Sequence, residues 1–120
     1  MFTSLGIRRY LSLMKYAEFV LGNSSSGIIE TPAFHVPTVN IGDRQRGRLQ
    51  SESIINCGAI KDEICNAIRH AMTDGHKTAC LNVISPYGDG HAAERIANKT
   101  VEVILSGGID LKKKFYDLNI

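Results

Sequence analysis

Apolar and polar positions follow two periods along this chain. Ile7, Tyr10, Leu11, Leu13, Met14 and Ala17 recur at helical spacing with basic residues between them, which predicts a helix over 7–17. Glu18–Gly22 carries a short apolar run that predicts a buried strand. Ser24-Ser25-Ser26-Gly27 offers turn and capping chemistry, and 28–34 predicts a short helix that Pro32 either starts or makes irregular. Pro37–Gly42 and Ser53–Gly58 predict two further strands, separated by a polar, arginine-rich loop over 43–52. Residues 60–73 give the clearest helix. Ile60, Ile64, Ile68 and Met72 share a stripe, Asp62 and Glu63 lie in the first turn, and His70 is near the last. The turn cluster Ser85–Gly90 opens a final helix to about Leu105, with Ala92, Ala93, Ile96, Ala97, Thr100 and Ile104 on one face. Gly107-Gly108 ends it, and Lys112-Lys113-Lys114-Phe115-Tyr116 makes a basic, aromatic tail.

Strands alternating with helices indicate an α/β fold with a parallel, Rossmann-like sheet. Only three strands can be found, fewer than a doubly wound sheet normally has, so the sheet is expected to be partial and its edges unpaired. Self-association is expected from those edges. Residues 1–106 read as one partial domain and 107–120 as a tail.

Composition narrows the function classes. The 120 residues are 43% hydrophobic and 22% charged, with a mean hydropathy of −0.07. Fourteen Lys/Arg against twelve Asp/Glu give a net charge of +2, too small to indicate a nucleic-acid partner. No apolar run is long enough for a membrane span, and the first ten residues lack the apolar core of a signal peptide. Cys57, Cys65 and Cys80 are odd in number and show no C-x-x-C spacing, which favours a reducing cytoplasm over a disulfide scaffold or zinc site.

The strongest chemical signal is the strand–turn–helix junction Leu21–Glu30. A hydroxyl-rich turn opening a helix at the carboxyl edge of a parallel sheet offers backbone N–H groups and serine hydroxyls to an anion such as a diphosphate. Plain helix capping by one serine is the other reading. Glu30 lies one helical turn past Ser26, on the same face, where a carboxylate can accept from a ribose diol or simply face solvent. Gly27 occupies the position a Ser/Thr capping box would need, so that motif does not account for Glu30. Asp43-Arg44-Gln45-Arg46-Gly47-Arg48 leaves the second strand at the same edge, either to grip phosphate or as a solvated basic loop. His35, His70, His76 and His91 show no metal-ligand spacing; His70 and His76 read as belonging to a helix C-terminus and the loop after it. No metal, cofactor or catalytic residue is expected. Asp43 is the nearest candidate base, and its arginine-flanked setting favours a weakly basic, ionised form.

The run GNSSSGIIETPAFHVPTVNIGDRQRGR, residues 22–48, closely resembles the nucleotide-binding segment of the hydrolysing UDP-N-acetylglucosamine 2-epimerases. The likeness extends to Ser4-Leu5-Gly6, Tyr10-Leu11 and Ser53-Ile54-Ile55, and resumes at Pro86-Tyr87-Gly88-Asp89-Gly90 with Ala92-Ala93 and Arg95-Ile96. Ser85 stands where that late motif usually has Asn. The non-hydrolysing branch usually carries Ser-Gly-Gly where this chain has Ser-Ser-Ser-Gly. The resemblance implies a C-terminal part of a two-domain GT-B fold. It also implies a reaction in which the whole enzyme eliminates UDP from UDP-GlcNAc, inverts C2 and hydrates to ManNAc. Ser24, Ser25, Ser26 and Gly27 would meet the UDP phosphates, Glu30 the ribose, Arg44 the nucleotide pocket, and the backbone around Leu5 the uracil.

The family's members run to roughly three times this length, on the order of two domains. Their catalytic acidic residues lie in a half with no counterpart here, so this chain is expected to be inactive alone. A truncated or split gene is implied, with a separately encoded N-terminal half as partner. A non-catalytic nucleotide-sugar-binding module, a glycosyltransferase half, and a GDP rather than UDP ligand are the alternatives.

Overall fold

The three apolar runs pair as a parallel sheet in a computed structural model of the protein, which describes residues 4–107. The predicted tail at Lys112–Tyr116 lies outside the described residues. The elements in order are α1 (Gly6–Lys15), β1 (Val20–Gly22), α2 (Ser26–Ile29), a 3₁₀ turn (Thr31–Phe34), β2 (Thr38–Ile41), β3 (Ile54–Cys57), α3 (Lys61–Ala71), α4 (Asp74–Leu81) and α5 (Ala92–Leu105). The chain divides into two compact units, Met1–Asp89 and Gly90–Ile120. The sheet belongs to the first, and α5 to the second.

Sheet order follows chain order, β1-β2-β3, with Gly22 opposite Asn40 and Asn40 opposite Asn56. Alternation along β2 decides what covers each face. Val39, fully buried, faces α3 and packs with Ala67 and Ala71, while Phe19, Ile41, Ile55, Cys57 and Ile68 surround them. Thr38 points the other way, toward α2 and the 3₁₀ turn, where its hydroxyl hydrogen-bonds the Thr31 hydroxyl at 2.7 Å. Pro32 sits in the first turn of the 3₁₀ segment, which is why 28–34 breaks into two short pieces.

The buried stripe of α3 differs from the one expected. Ile60 and Met72 are exposed, and the fully buried positions are Ala67 and Ala71. Ile60 and Met72 flank the helix rather than belong to it: Ile60 is the extended residue that caps its start and Met72 the residue that caps its end. Ile64, Ala67, Ile68 and Ala71 form the true stripe, and the alanines let the helix approach the β-branched strands.

Helix α4 lies where no element was expected. It carries a single buried residue, Cys80, so it has no apolar stripe to read. Its start is nevertheless encoded, since the Thr73 hydroxyl accepts from the His76 amide and Asp74 lies in the first turn. His76 is therefore on a helix rather than in a loop, its ring 4.9 Å from that of His70.

Strands β2 and β3 are joined by a segment without regular structure, unusual for a parallel pair. Side-chain carboxamides hold it in place: Asn40 Nδ2 donates to Asn56 Oδ1, and Asn56 Nδ2 to Gln50 Oε1, both at 2.7 Å. The Tyr87 hydroxyl, from the turn after α4, donates to the Leu49 carbonyl at 2.9 Å.

Candidate functional site

Parallel pairing brings the ends of β1 and β2 to one edge. The serine turn leaves β1 there, and the arginine loop leaves β2 beside it. Within the turn, Ser25 precedes α2, and the Ser24 hydroxyl accepts from the Ser26 amide at 3.3 Å. The Gly27 amide donates to the Ser24 carbonyl, and those of Ile28 and Ile29 to the Ser25 carbonyl. Several of the amides expected to point outward are thus spent inside the turn. Ser24 is exposed and Ser25 half-buried, and the Ser24 hydroxyl, which accepts one bond, still has its proton to give.

Ser26 turns inward. Its hydroxyl donates to Glu30 Oε2 and receives a bond from the Tyr10 hydroxyl at 2.6 Å. Because an ionised carboxylate only accepts, the relay runs from Tyr10 through Ser26 to Glu30. It fixes the half-buried Glu30 side chain and leaves Oε1 for a further donor. It also seats α1 on the turn, which places Leu5, the half-buried residue capping α1, some 7–8 Å along the helix axis from Tyr10.

Gly27 is required by packing. A Cβ at this position would come within 2.9 Å of the Thr38 methyl. The threonines cannot easily yield, because Thr31 Oγ1 also donates to the Gly27 carbonyl at 2.5 Å.

Arg44 is exposed and makes no hydrogen bond or ion pair with the serines. What ties its loop to the turn is the next residue: Gln45, 3% exposed, donates from Nε2 to the Asn23 carbonyl at 2.8 Å. Tyr10 and Gln45 are the two site residues that sequence reasoning missed. Tyr10 was legible only as part of a helical stripe, and Gln45 only as a polar loop residue.

A cleft of about 540 Å³ lies elsewhere, at the amino-terminal edge of the sheet among Lys15, Glu18, His35, Pro37 and Lys77. Its most prominent charges, Lys77 and Glu18, are paired with each other, and that pairing holds the Glu18 carboxyl below its usual range. Among the described residues no group of His, Cys, Asp or Glu side chains could hold a metal ion, and no helix is long and apolar enough to cross a membrane. The three cysteines are free, and burial pushes the Cys57 and Cys80 thiols up.

Comparison with known proteins gives the family. The profile of the UDP-N-acetylglucosamine 2-epimerase family matches residues 1–100. A GDP/UDP-N,N'-diacetylbacillosamine 2-epimerase (hydrolyzing) of Campylobacter jejuni is 57% identical over 56 residues, 47% of this chain and 15% of that protein. Polysialic acid biosynthesis protein P7 of Escherichia coli is 35% identical over 109 residues, 91% of this chain and 28% of that protein. The UDP-N-acetylglucosamine 2-epimerase of Neisseria meningitidis is 32% identical over 119 residues, covering 99% of this chain and 31% of its own length. The chain thus spans less than a third of the length of these relatives. With the family profile over most of its residues and a Rossmann-like sheet carrying the serine turn, the chain belongs to the UDP-N-acetylglucosamine 2-epimerase family.

Proposed function

We propose that this chain is the C-terminal nucleotide-binding part of a hydrolysing epimerase of 2-acetamido nucleotide sugars. Ser24 and Ser25 donate to the diphosphate, Gly27 keeps α2 close to the sheet, and Ser26 positions Glu30. Glu30 accepts from the ribose hydroxyls, Arg44 adds positive charge over the phosphates, and the backbone around Leu5 faces the base. The observation that carries this reading is the Tyr10–Ser26–Glu30 relay, which orients a carboxylate one helical turn behind a set of outward serine donors.

Chemistry beyond binding needs groups outside the described residues. Elimination requires a base at the sugar C2 proton and stabilisation of the departing diphosphate. The serine donors and Arg44 supply the second. Among the described residues no carboxylate is placed for the first, so the base comes from the part of the enzyme that corresponds to the remainder of the relatives, in the cytoplasm.

Calorimetric titration with UDP tests the site. Removing a charge-assisted hydrogen bond costs about 1.5–3 kcal/mol, so Glu30→Ala should weaken UDP by roughly tenfold or more. Equal affinities would remove Glu30 from the site. Titration with GDP in parallel identifies the nucleobase, a choice left open by the name of the Campylobacter jejuni relative, a GDP/UDP-N,N'-diacetylbacillosamine 2-epimerase.

A further inference from the structure

We infer that Gln45 is a positioning residue, a latch that holds the arginine loop against the serine turn so that Arg44 and the Ser24–Ser25 donors address one ligand. The inference rests on the nucleotide-binding reading above.

Gln45 lies in the middle of an exposed, charged run, yet it is the buried member: Arg44, Arg46 and Arg48 are all exposed. Its Nε2 bond reaches the carbonyl of Asn23, the residue immediately before Ser24 and 22 positions away in sequence. A backbone carbonyl only accepts, so the amide orientation is fixed and Oε1 must point elsewhere. That oxygen is buried and has no hydrogen-bond partner. A buried acceptor left unpaired is destabilising, so an apolar side chain of similar shape would suit this position better if stability were its only purpose.

The other ties of the segment explain what the latch adds. The Gly42 amide bonds to the Cys57 carbonyl, Gln50 to Asn56, and Leu49 to Tyr87. Those to Cys57 and Asn56 fasten the loop at its ends to β3 and the residues around it. Among the described residues, the Gln45 bond is the tie directed to the end of β1, where the serines lie. Without it, Arg44 would sit on an irregular segment anchored one strand away from the donors it complements.

Two variants of the full chain test the latch. Gln45→Met keeps the volume and removes both the Asn23 bond and the unpaired oxygen. It should keep a cooperative melt, and in the absence of ligand, amide hydrogen exchange should quicken in 23–26 and 43–46 together. UDP should bind roughly five- to tenfold more weakly, the loss of about one hydrogen bond. Gln45→Glu keeps the acceptor and replaces the donor. Ionised, it faces the Asn23 carbonyl without a proton to give; protonated, it donates again. Burial at a site facing a carbonyl raises a carboxyl pKa above the ordinary glutamate value of about 4.3, so the variant's affinity deficit, measured against the unaltered chain at each pH, should shrink as pH is lowered toward about 4.5. A residue that only fills space would show no such recovery. Unchanged exchange in both segments of Gln45→Met, or unchanged UDP affinity when the unaltered chain binds UDP, overturns the latch. Should the unaltered chain fail to bind UDP, the nucleotide reading falls, and the exchange measurement decides the latch separately.

Discussion

Replacing Gly27 with alanine should loosen α2 from β2, although alanine is the better helix former. The new methyl would lie 2.9 Å from the Thr38 Cγ2. Carbon atoms in contact normally sit about 3.5–4.0 Å apart, so the two elements must part by most of an ångström or Thr38 must rotate. Rotation is opposed, since Thr38 is 2% exposed and its hydroxyl is held by Thr31, which is in turn held by the Gly27 carbonyl. Overpacking of this kind costs about 1–3 kcal/mol, and the helix-propensity gain returns at most about 1 kcal/mol. The expected net loss is about 1–2 kcal/mol, read from urea denaturation followed by circular dichroism. Thr38→Ser removes the offending methyl and keeps the hydroxyl. Alone it should cost on the order of 1 kcal/mol, the loss of one buried methyl group. Combined with Gly27→Ala it should recover most of the stability, because the alanine methyl fills the vacated space. The resulting coupling of about 1 kcal/mol or more is the signature of direct contact. A Gly27→Ala chain as stable as the original, with strictly additive effects in the double variant, would refute the packing argument.

Two further outcomes follow. The 120-residue chain alone should release no measurable 2-epimerised sugar from UDP-GlcNAc, because among the described residues no base is placed for proton abstraction; turnover that disappears in Ser24→Ala/Glu30→Ala would contradict this. Burial, reinforced by the neighbouring His70 and opposed by a Ser53 backbone hydrogen bond, lowers the His76 pKa, so the fold favours neutral His76. Its contribution to stability should be complete above the ordinary histidine pKa of about 6.5 and be lost as pH falls below it, and His76→Gln should flatten that part of the melting profile between about pH 7.5 and 5.

Local features of the site were legible in the sequence, and cross-chain ones were not. The three strands announce themselves through short apolar runs, and the serine turn through hydroxyl and glycine chemistry between a strand and a helix. The Ser26–Glu30 pairing follows from spacing alone. Tyr10 and Gln45 differ because their partners lie 16 and 22 residues away, and no local period encodes such a meeting. Helix α4 escaped for another reason. It is set by a threonine cap and buries one cysteine, whereas periodicity detects only helices that bury a stripe. On α3 the large residues drew attention from the alanines, although close approach to a parallel sheet selects for small side chains.

Because sheet order repeats chain order, β1 forms an open rim and the serine turn hangs from its end. A strand added in parallel along that rim would bring its own carboxyl end beside Ser24. Whatever polypeptide completes the sheet there would also complete the wall of the site. Nucleotide binding and docking of that segment would then be thermodynamically linked: each would favour the other by the same factor, with the ligand acting as glue along the rim.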